Sequence, residues 1–174
     1  MVQYTHQIVV FHENKRCGMT IAFAGHSSIA SGDEIKKMVK KEIKNNIFGS
    51  NKVVCLLGGY GDFDEICASA CRELKSEYDF IETAYVSPYI SLSEQNKIKE
   101  MQALALYDTS IYPPIENVPP KFAIAKRNEW MMTNADLVIA YVSQKRGGAY
   151  KSLQVAKRRN KKIINLYAQK SHTG

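Results

Sequence analysis

The sequence has few cysteines, and no two of them have the spacing of a zinc or redox motif. The four are Cys17, Cys55, Cys67 and Cys71, and none forms a Cys-x-x-Cys pair. This absence argues against a zinc site or a thioredoxin-like centre and favours reduced, mostly buried thiols in a cytoplasmic protein. We therefore expect no metal site and no cofactor.

A long uncharged apolar run is also absent. A transmembrane helix needs about 20 such residues, so no membrane partner is predicted. The N-terminus lacks the apolar core and the small-residue cleavage site of a secretory signal peptide. With 174 residues, 45% of them apolar and 24% charged, the composition is typical of one folded domain and not of a disordered chain.

Acidic residues are missing from the last quarter of the chain. After Asp136 there are nine of the 24 lysines and arginines and none of the 17 acidic residues. This imbalance favours an anionic partner, either a phosphate-bearing small molecule or nucleic acid. A solvated basic helix face is an equally good explanation, and the aromatic-interleaved stripe of a known nucleic-acid module is absent.

Short apolar runs alternate with helical patterns along the chain. Five runs predict strands, at residues 19–24, 53–57, 80–86, 137–142 and 163–167. Helices are predicted between them, with capping residues at Ser31 and Ser91 and a first-turn proline at Pro120 in a helix that runs to about Asn134. This alternation predicts an α/β fold, a single Rossmann-like three-layer domain with a mainly parallel sheet of about five strands.

Glycines follow three of these predicted strands. Parallel sheets bind ligands beyond the carboxyl ends of their strands, where free backbone N–H groups and a helix N-terminus attract an anion. A nucleotide-like pocket is therefore predicted, although tight turns use glycine for structural reasons as well. The predicted ligand-binding residues are Gly25, His26, Gly58, Gly59, Gly61, Asp62, Arg127, Asn128, Gly147, Gly148 and Ala149.

Four segments, in this order, resemble the SLOG superfamily. They are Phe23-Ala-Gly25-His26, Leu57-Gly-Gly-Tyr-Gly-Asp-Phe-Asp64, Arg127-Asn-Glu-Trp-Met131 with Asn134-Ala-Asp136, and Arg146-Gly-Gly-Ala149. This Rossmann-like group contains LOG-type phosphoribohydrolases, the DNA-processing protein DprA and YpsA-like proteins, and the sequence looks most like the YpsA-like branch. The resemblance implies binding of a nucleotide or nucleotide-derived molecule by a sensor or regulatory module. The alternatives are an N-glycosidic hydrolase of nucleoside monophosphates and a DprA-like nucleic-acid-binding protein.

The same resemblance bears on catalysis. The phosphoribohydrolase branch uses an arginine and, further along the chain, a glutamate that ends a glycine-rich turn. Arg127 matches the arginine, but Gln154 stands where the glutamate would be, and a neutral amide cannot act as a general base. The resemblance therefore implies weak or no hydrolase activity. Glu65 and Asp64 remain candidate catalytic carboxylates with Arg127, although the dipole of the following helix also explains acidic residues there.

The domain prediction divides the chain at its N-terminus. Residues 1–18 are predicted to be an extension, and residues 19–170 the SLOG-like Rossmann domain. Ile8-Val-Val-Phe11 in the extension could form an edge strand or contact a partner. Whether the protein forms a homo-oligomer stays open.

Overall fold

The computed structural model of the protein describes residues 18–170, so the segment at residues 8–11 lies outside the described residues. Within 18–170, strands and helices alternate. The strands are β1 (Met19–Gly25), β2 (Val53–Leu57), β3 (Ile81–Val86), β4 (Thr109–Ile111), β5 (Leu137–Tyr141) and β6 (Lys162–Asn165). The helices are α1 (Gly32–Asn46), α2 (Asp62–Lys75), α3 (Leu92–Ala103), α4 (Pro120–Asn134), α5 (Gly147–Arg158) and α6 (Leu166–Lys170). None of these helices is long and apolar enough to cross a membrane.

The six strands form one parallel sheet in the order β4-β3-β2-β1-β5-β6. The predicted α/β fold is confirmed, and the strands predicted at 19–24, 53–57 and 137–142 lie side by side. Ile21 of β1 is paired with Cys55 of β2 on one side and with Leu137 of β5 on the other. The additional strand is β4, which has three residues at the sheet edge and is too short to show a period of its own.

The sheet separates two layers of helices. In β1, Ile21 and Phe23 pack in one apolar cluster with residues of α1 and α2, whereas Ala22 and Ala24 pack in a second cluster with residues of α4 and α5. These four side chains are all buried. A central parallel strand is covered on both faces in this way, which explains why the run at 19–24 is continuously apolar.

Helices start at all three places predicted, after Ser31, after Ser91 and at Pro120, but the capping hydrogen bond expected at Ser31 is absent. The Ser91 hydroxyl accepts a hydrogen bond from the Glu94 backbone N–H at 3.3 Å and caps α3. Pro120 occupies the first turn of α4, where its missing N–H is not needed. The predicted capping box at Ser31 is wrong, because that residue precedes α1 but its side chain makes no capping hydrogen bond.

The last predicted strand, 163–167, ends earlier than expected. The side-chain amide of Asn165 pairs with the backbone of Val142, donating at 2.9 Å and accepting at 3.1 Å. These two bonds close the end of β6 against the segment that leaves β5, and α6 starts at the next residue, Leu166. These side-chain hydrogen bonds take the place of the backbone hydrogen bonds that a longer strand would make.

Candidate ligand-binding cleft

A cleft of about 460 Å³ lies at the carboxyl end of the sheet. It opens where β1 stands between β2 and β5, which is the point at which the strand order changes direction. Open parallel sheets bind their ligands at this position. The cleft is lined by Phe23, Ala24, Gly25, His26, Ser27, Gly58, Tyr60, Asp64, Ile124, Arg127, Asn128, Met131, Gln144, Arg146, Gly147, Gly148, Ala149 and Ser152.

His26 joins two of the turns that form this cleft. Its Nε2 atom accepts a hydrogen bond from the Ser143 backbone N–H at 2.9 Å and lies 3.0 Å from the Ser143 hydroxyl. The turn after β1 is thereby tied to the turn after β5. Since Nε2 accepts a hydrogen bond here, Nδ1 is the ring nitrogen that remains for a ligand.

Gly25 stands where β1 meets α2 too closely for a side chain. A Cβ atom at this position would lie 2.2 Å from two ring carbons of Phe63, a residue in the first turn of α2 that is buried in the core. The glycine therefore permits the close packing that brings the first turn of α2 next to the end of β1.

We expect Gly25→Ala to lower the free energy of unfolding by about 1–3 kcal/mol, because a methyl group overpacks the contact with Phe63. Gly148→Ala is the matched control, since nothing lies within 4 Å of a Cβ placed there, and its stability should be unchanged or slightly higher. Urea denaturation of both variants measures the difference. Equal stability of the two variants would contradict the packing argument.

Arg127 is the central charged residue of the cleft and is only 1% exposed. Its Nη1 atom donates to the carbonyls of Gly58 at 2.7 Å and Val86 at 2.6 Å, which ties α4 to the ends of β2 and β3. Its Nε atom is buried and has no hydrogen-bond partner among residues 18–170. Burial lowers the pKa of Arg127, an effect that the nearby charge of Asp64 opposes.

Asp64 also holds the turn after β2. Its Oδ2 atom accepts a hydrogen bond from the Tyr60 backbone N–H at 3.0 Å. Burial raises the pKa of Asp64, while that bond and the Arg127 charge act in the other direction. A Cβ at Gly58 would lie 2.7 Å from Arg127 Nη1 and 2.9 Å from Asp64 Oδ2, so the glycine lets both charged groups approach the backbone.

The N-terminus of α5 forms the other wall of the cleft. The residue that precedes it, Arg146, makes no side-chain capping bond, and the first N–H groups of a helix have no acceptor within the helix. Gly147, Gly148 and Ala149 line the cleft with these first-turn positions. The helix dipole and the Arg146 charge both favour an anion there.

Five residues that the sequence placed at or near the site do not line the cleft: Gly59, Gly61, Asp62, Glu65 and Gln154. Asp62 accepts a hydrogen bond from the Ile29 backbone N–H at 2.8 Å and has a structural partner. Glu65 is exposed on α2, so of the two adjacent candidate carboxylates only Asp64 faces the cleft. Gln154 is half-buried on α5 and is not among the lining residues.

Other lining residues were not selected from the sequence: Phe23, Ala24, Ser27, Tyr60, Ile124, Met131, Gln144, Arg146 and Ser152. Helical spacing could have identified some of them. Ile124 and Met131 stand three residues before and four residues after Arg127 and share its face of α4. Ser152 stands one turn after Gly148, and its hydroxyl donates to the Gly148 carbonyl at 3.1 Å.

The charges of the cleft favour an anion over a metal ion. Arg127 and Arg146 are cationic, and Asp64 is the one carboxylate among the described residues that line the cleft. Within 18–170 no group of three or more histidine, cysteine or acidic side chains is arranged to hold a metal ion.

Comparison with known proteins shows the fold. No family model matches the chain, and no curated protein matches it. Among solved structures, it is similar to DNA processing protein A from Helicobacter pylori, a protein with a described single-stranded DNA binding mode (TM-score 0.55, 20% identity, 83% of this chain and 63% of that one). It is also similar to DNA processing protein A from Streptococcus pneumoniae (TM-score 0.58, 18% identity, 84% of this chain and 49% of that one). The chain thus spans less than two thirds of either neighbour.

Proposed function

We propose that this protein binds a nucleotide or nucleotide-derived ligand in the cleft between β1, β2 and β5, as a sensor or regulatory module of the SLOG superfamily close to its YpsA-like branch. The ligand's phosphate lies at the N-terminus of α5. The observation that carries the proposal is that the uncapped first turn of α5 and the buried Arg127 line the same cleft. Buried thiols at Cys55, Cys67 and Cys71 fit a cytoplasmic location.

The buried guanidinium supports a ligand and not merely a structural role. An unpaired buried N–H group costs about 1–3 kcal/mol, and the Arg127 Nε atom is such a group. Two backbone carbonyls already use Nη1, so the arginine is held in place before any ligand arrives. A preorganised donor of this kind loses little entropy on binding.

The same geometry supports binding without turnover. Hydrolysis of an N-glycosidic bond needs a free carboxylate close to the sugar. Glu65 and Gln154 do not line the cleft, and the Oδ2 atom of Asp64 is engaged with the Tyr60 backbone. Hydrolysis of nucleoside monophosphates is therefore expected to be weak or absent.

Thermal-shift titration with nucleotides, NAD-related compounds and nucleotide sugars tests the proposal. A ligand at a hundred times its dissociation constant should add about 2.7 kcal/mol to the stability of the folded protein. The bound compound should be recovered intact by mass spectrometry after incubation. Absence of any shift across these classes would overturn the binding proposal, and release of free base would show that the protein is an enzyme.

Single-stranded nucleic acid is the second candidate ligand. Lys157, Arg158 and Arg159 are exposed at the C-terminal end of α5, and the neighbour from Helicobacter pylori binds single-stranded DNA. Binding through such residues weakens steeply as salt rises, because counterions are released. A gel shift with an oligonucleotide at low salt, repeated with the double variant Arg158→Ala, Arg159→Ala, distinguishes this candidate from a small ligand in the cleft. Absence of a complex at micromolar protein would exclude single-stranded nucleic acid as the ligand.

A further inference from the structure

Tyr60 is an exposed aromatic side chain at the edge of the cleft. It lines the cleft and is 49% exposed, although it lies beside the buried Arg127. The backbone of this turn is held by the bond to Asp64 and by Arg127. A tyrosine that packs on the cleft but keeps half of its surface open is available to a planar ligand group.

The ring is also held in a defined place. The Tyr60 N–H is bonded to Asp64 Oδ2 at 3.0 Å, which fixes its backbone. The Arg127 guanidinium carbon lies 5.6 Å and the Lys97 Nζ atom 5.5 Å from the ring centroid, within the range of cation–π attraction. A ring fixed before binding gives up little conformational entropy when a ligand packs on its exposed part.

The position of Tyr60 relative to α5 sets the length of the ligand. Tyr60 follows β2, and the first turn of α5 follows β5, and both strands neighbour β1. Adjacent strands are about 4.8 Å apart, so the two turns lie about 10 Å from each other across the sheet. Inorganic phosphate cannot bridge that span, whereas a nucleoside monophosphate can. Ile124 and Met131 of α4 supply apolar surface between the two ends.

The geometry points to Tyr60 as the residue that selects a ligand with a nucleobase: the base packs on the exposed part of the Tyr60 ring while the phosphate lies at the N-terminus of α5. This inference rests on the proposed function, since it assumes an anion at α5. It adds a ligand class, because a sugar phosphate without a base would leave Tyr60 unused. Lys97 and Arg127 act as positioning residues for the ring.

The test compares two kinds of probe, a sugar phosphate without a base and nucleotides that carry the same sugar and phosphate. Ribose 5-phosphate is titrated beside AMP, GMP, CMP and UMP by isothermal calorimetry on the wild type, Tyr60→Leu, Tyr60→Phe and Phe48→Leu. Phe48 is 98% exposed and lies outside the cleft, so Phe48→Leu controls for loss of an exposed aromatic residue. In the wild type, the best nucleotide should bind between about fivefold and about a hundredfold more tightly than ribose 5-phosphate, the range of base stacking on an aromatic ring.

Tyr60→Leu should remove most of this preference, measured as the ratio of the nucleotide and ribose 5-phosphate affinities of the same variant, while Tyr60→Phe and Phe48→Leu should keep the preference. If ribose 5-phosphate binds but Tyr60→Leu retains the wild-type preference for nucleotides, the inference is overturned and the proposed function stands. Equal binding of both probes by the wild type would overturn the inference in the same way. If neither probe binds the wild type, the inference fails together with the anion site at α5.

Discussion

Arg127→Met is expected to lower the free energy of unfolding by about 3–5 kcal/mol, because two hydrogen bonds from a buried charged donor are lost and each contributes about 1.5–3 kcal/mol. Methionine has a similar length, so loss of volume contributes little. The cost arises because the carbonyls of Gly58 and Val86 lose their donor and the half-buried Asp64 loses the nearby positive charge of Arg127. Urea denaturation measures the change, provided that the slope of the transition is the same in both proteins.

The pH dependence of this variant has a defined sign. Burial already raises the pKa of Asp64, and Arg127 opposes that rise, so removal of Arg127 raises the pKa further. A folded-state pKa above the unfolded value adds stability at low pH that is lost as pH rises through it. The loss of unfolding free energy caused by Arg127→Met should therefore be smaller at about pH 5 than at about pH 8.

Arg72→Met is the matched control for this experiment. Arg72 is exposed on α2, and its guanidinium makes only a long, 3.5 Å approach to the Leu106 carbonyl. Its substitution should change stability by no more than about 0.5 kcal/mol. A loss of the same size in Arg72→Met and Arg127→Met, or none in Arg127→Met, would show that the guanidinium does not hold the ends of β2 and β3.

Ala149→Asp is expected to weaken nucleotide binding at least about a hundredfold, because like charges in contact cost several kcal/mol and about 1.4 kcal/mol is a factor of ten. Ala149 lies in the first turn of α5 and lines the cleft, so the new carboxylate would occupy the place proposed for the phosphate. The same carboxylate complements the helix dipole and should raise stability by about 0.3–1 kcal/mol. Calorimetry with the best nucleotide and urea denaturation measure the two opposite effects.

Ala149→Asn separates charge from size in this experiment. The asparagine side chain has nearly the same volume as aspartate but no charge, so it should reduce binding much less. Loss of binding together with loss of stability in Ala149→Asp would mean a damaged fold and would not support the anion site. Equal binding by the two variants would place the phosphate elsewhere in the cleft.

Much of the fold could be predicted because it depends on local patterns. Continuous apolar runs at 19–24, 53–57 and 137–142 predicted buried parallel strands, and β1, β2 and β5 are adjacent as expected. Once those strands are parallel, the glycines that follow them must meet at one edge of the sheet. The short strand β4 was missed, because three residues in a proline-rich stretch have no readable period.

The sequence by itself determined the edge of the sheet at which a ligand site could form, since strand direction and glycine position are both local properties. Tertiary structure alone decided which charged groups enter the cleft. Arg127 bonds carbonyls 69 and 41 residues away, and His26 bonds a residue 117 positions along the chain. Between the neighbours Asp64 and Glu65, the choice depends on the rotation of α2 about its axis. The buried stripe of α2 and the packing of Phe63 against Gly25 fix that rotation, and only in the folded protein does Asp64, and not Glu65, line the cleft with Arg127.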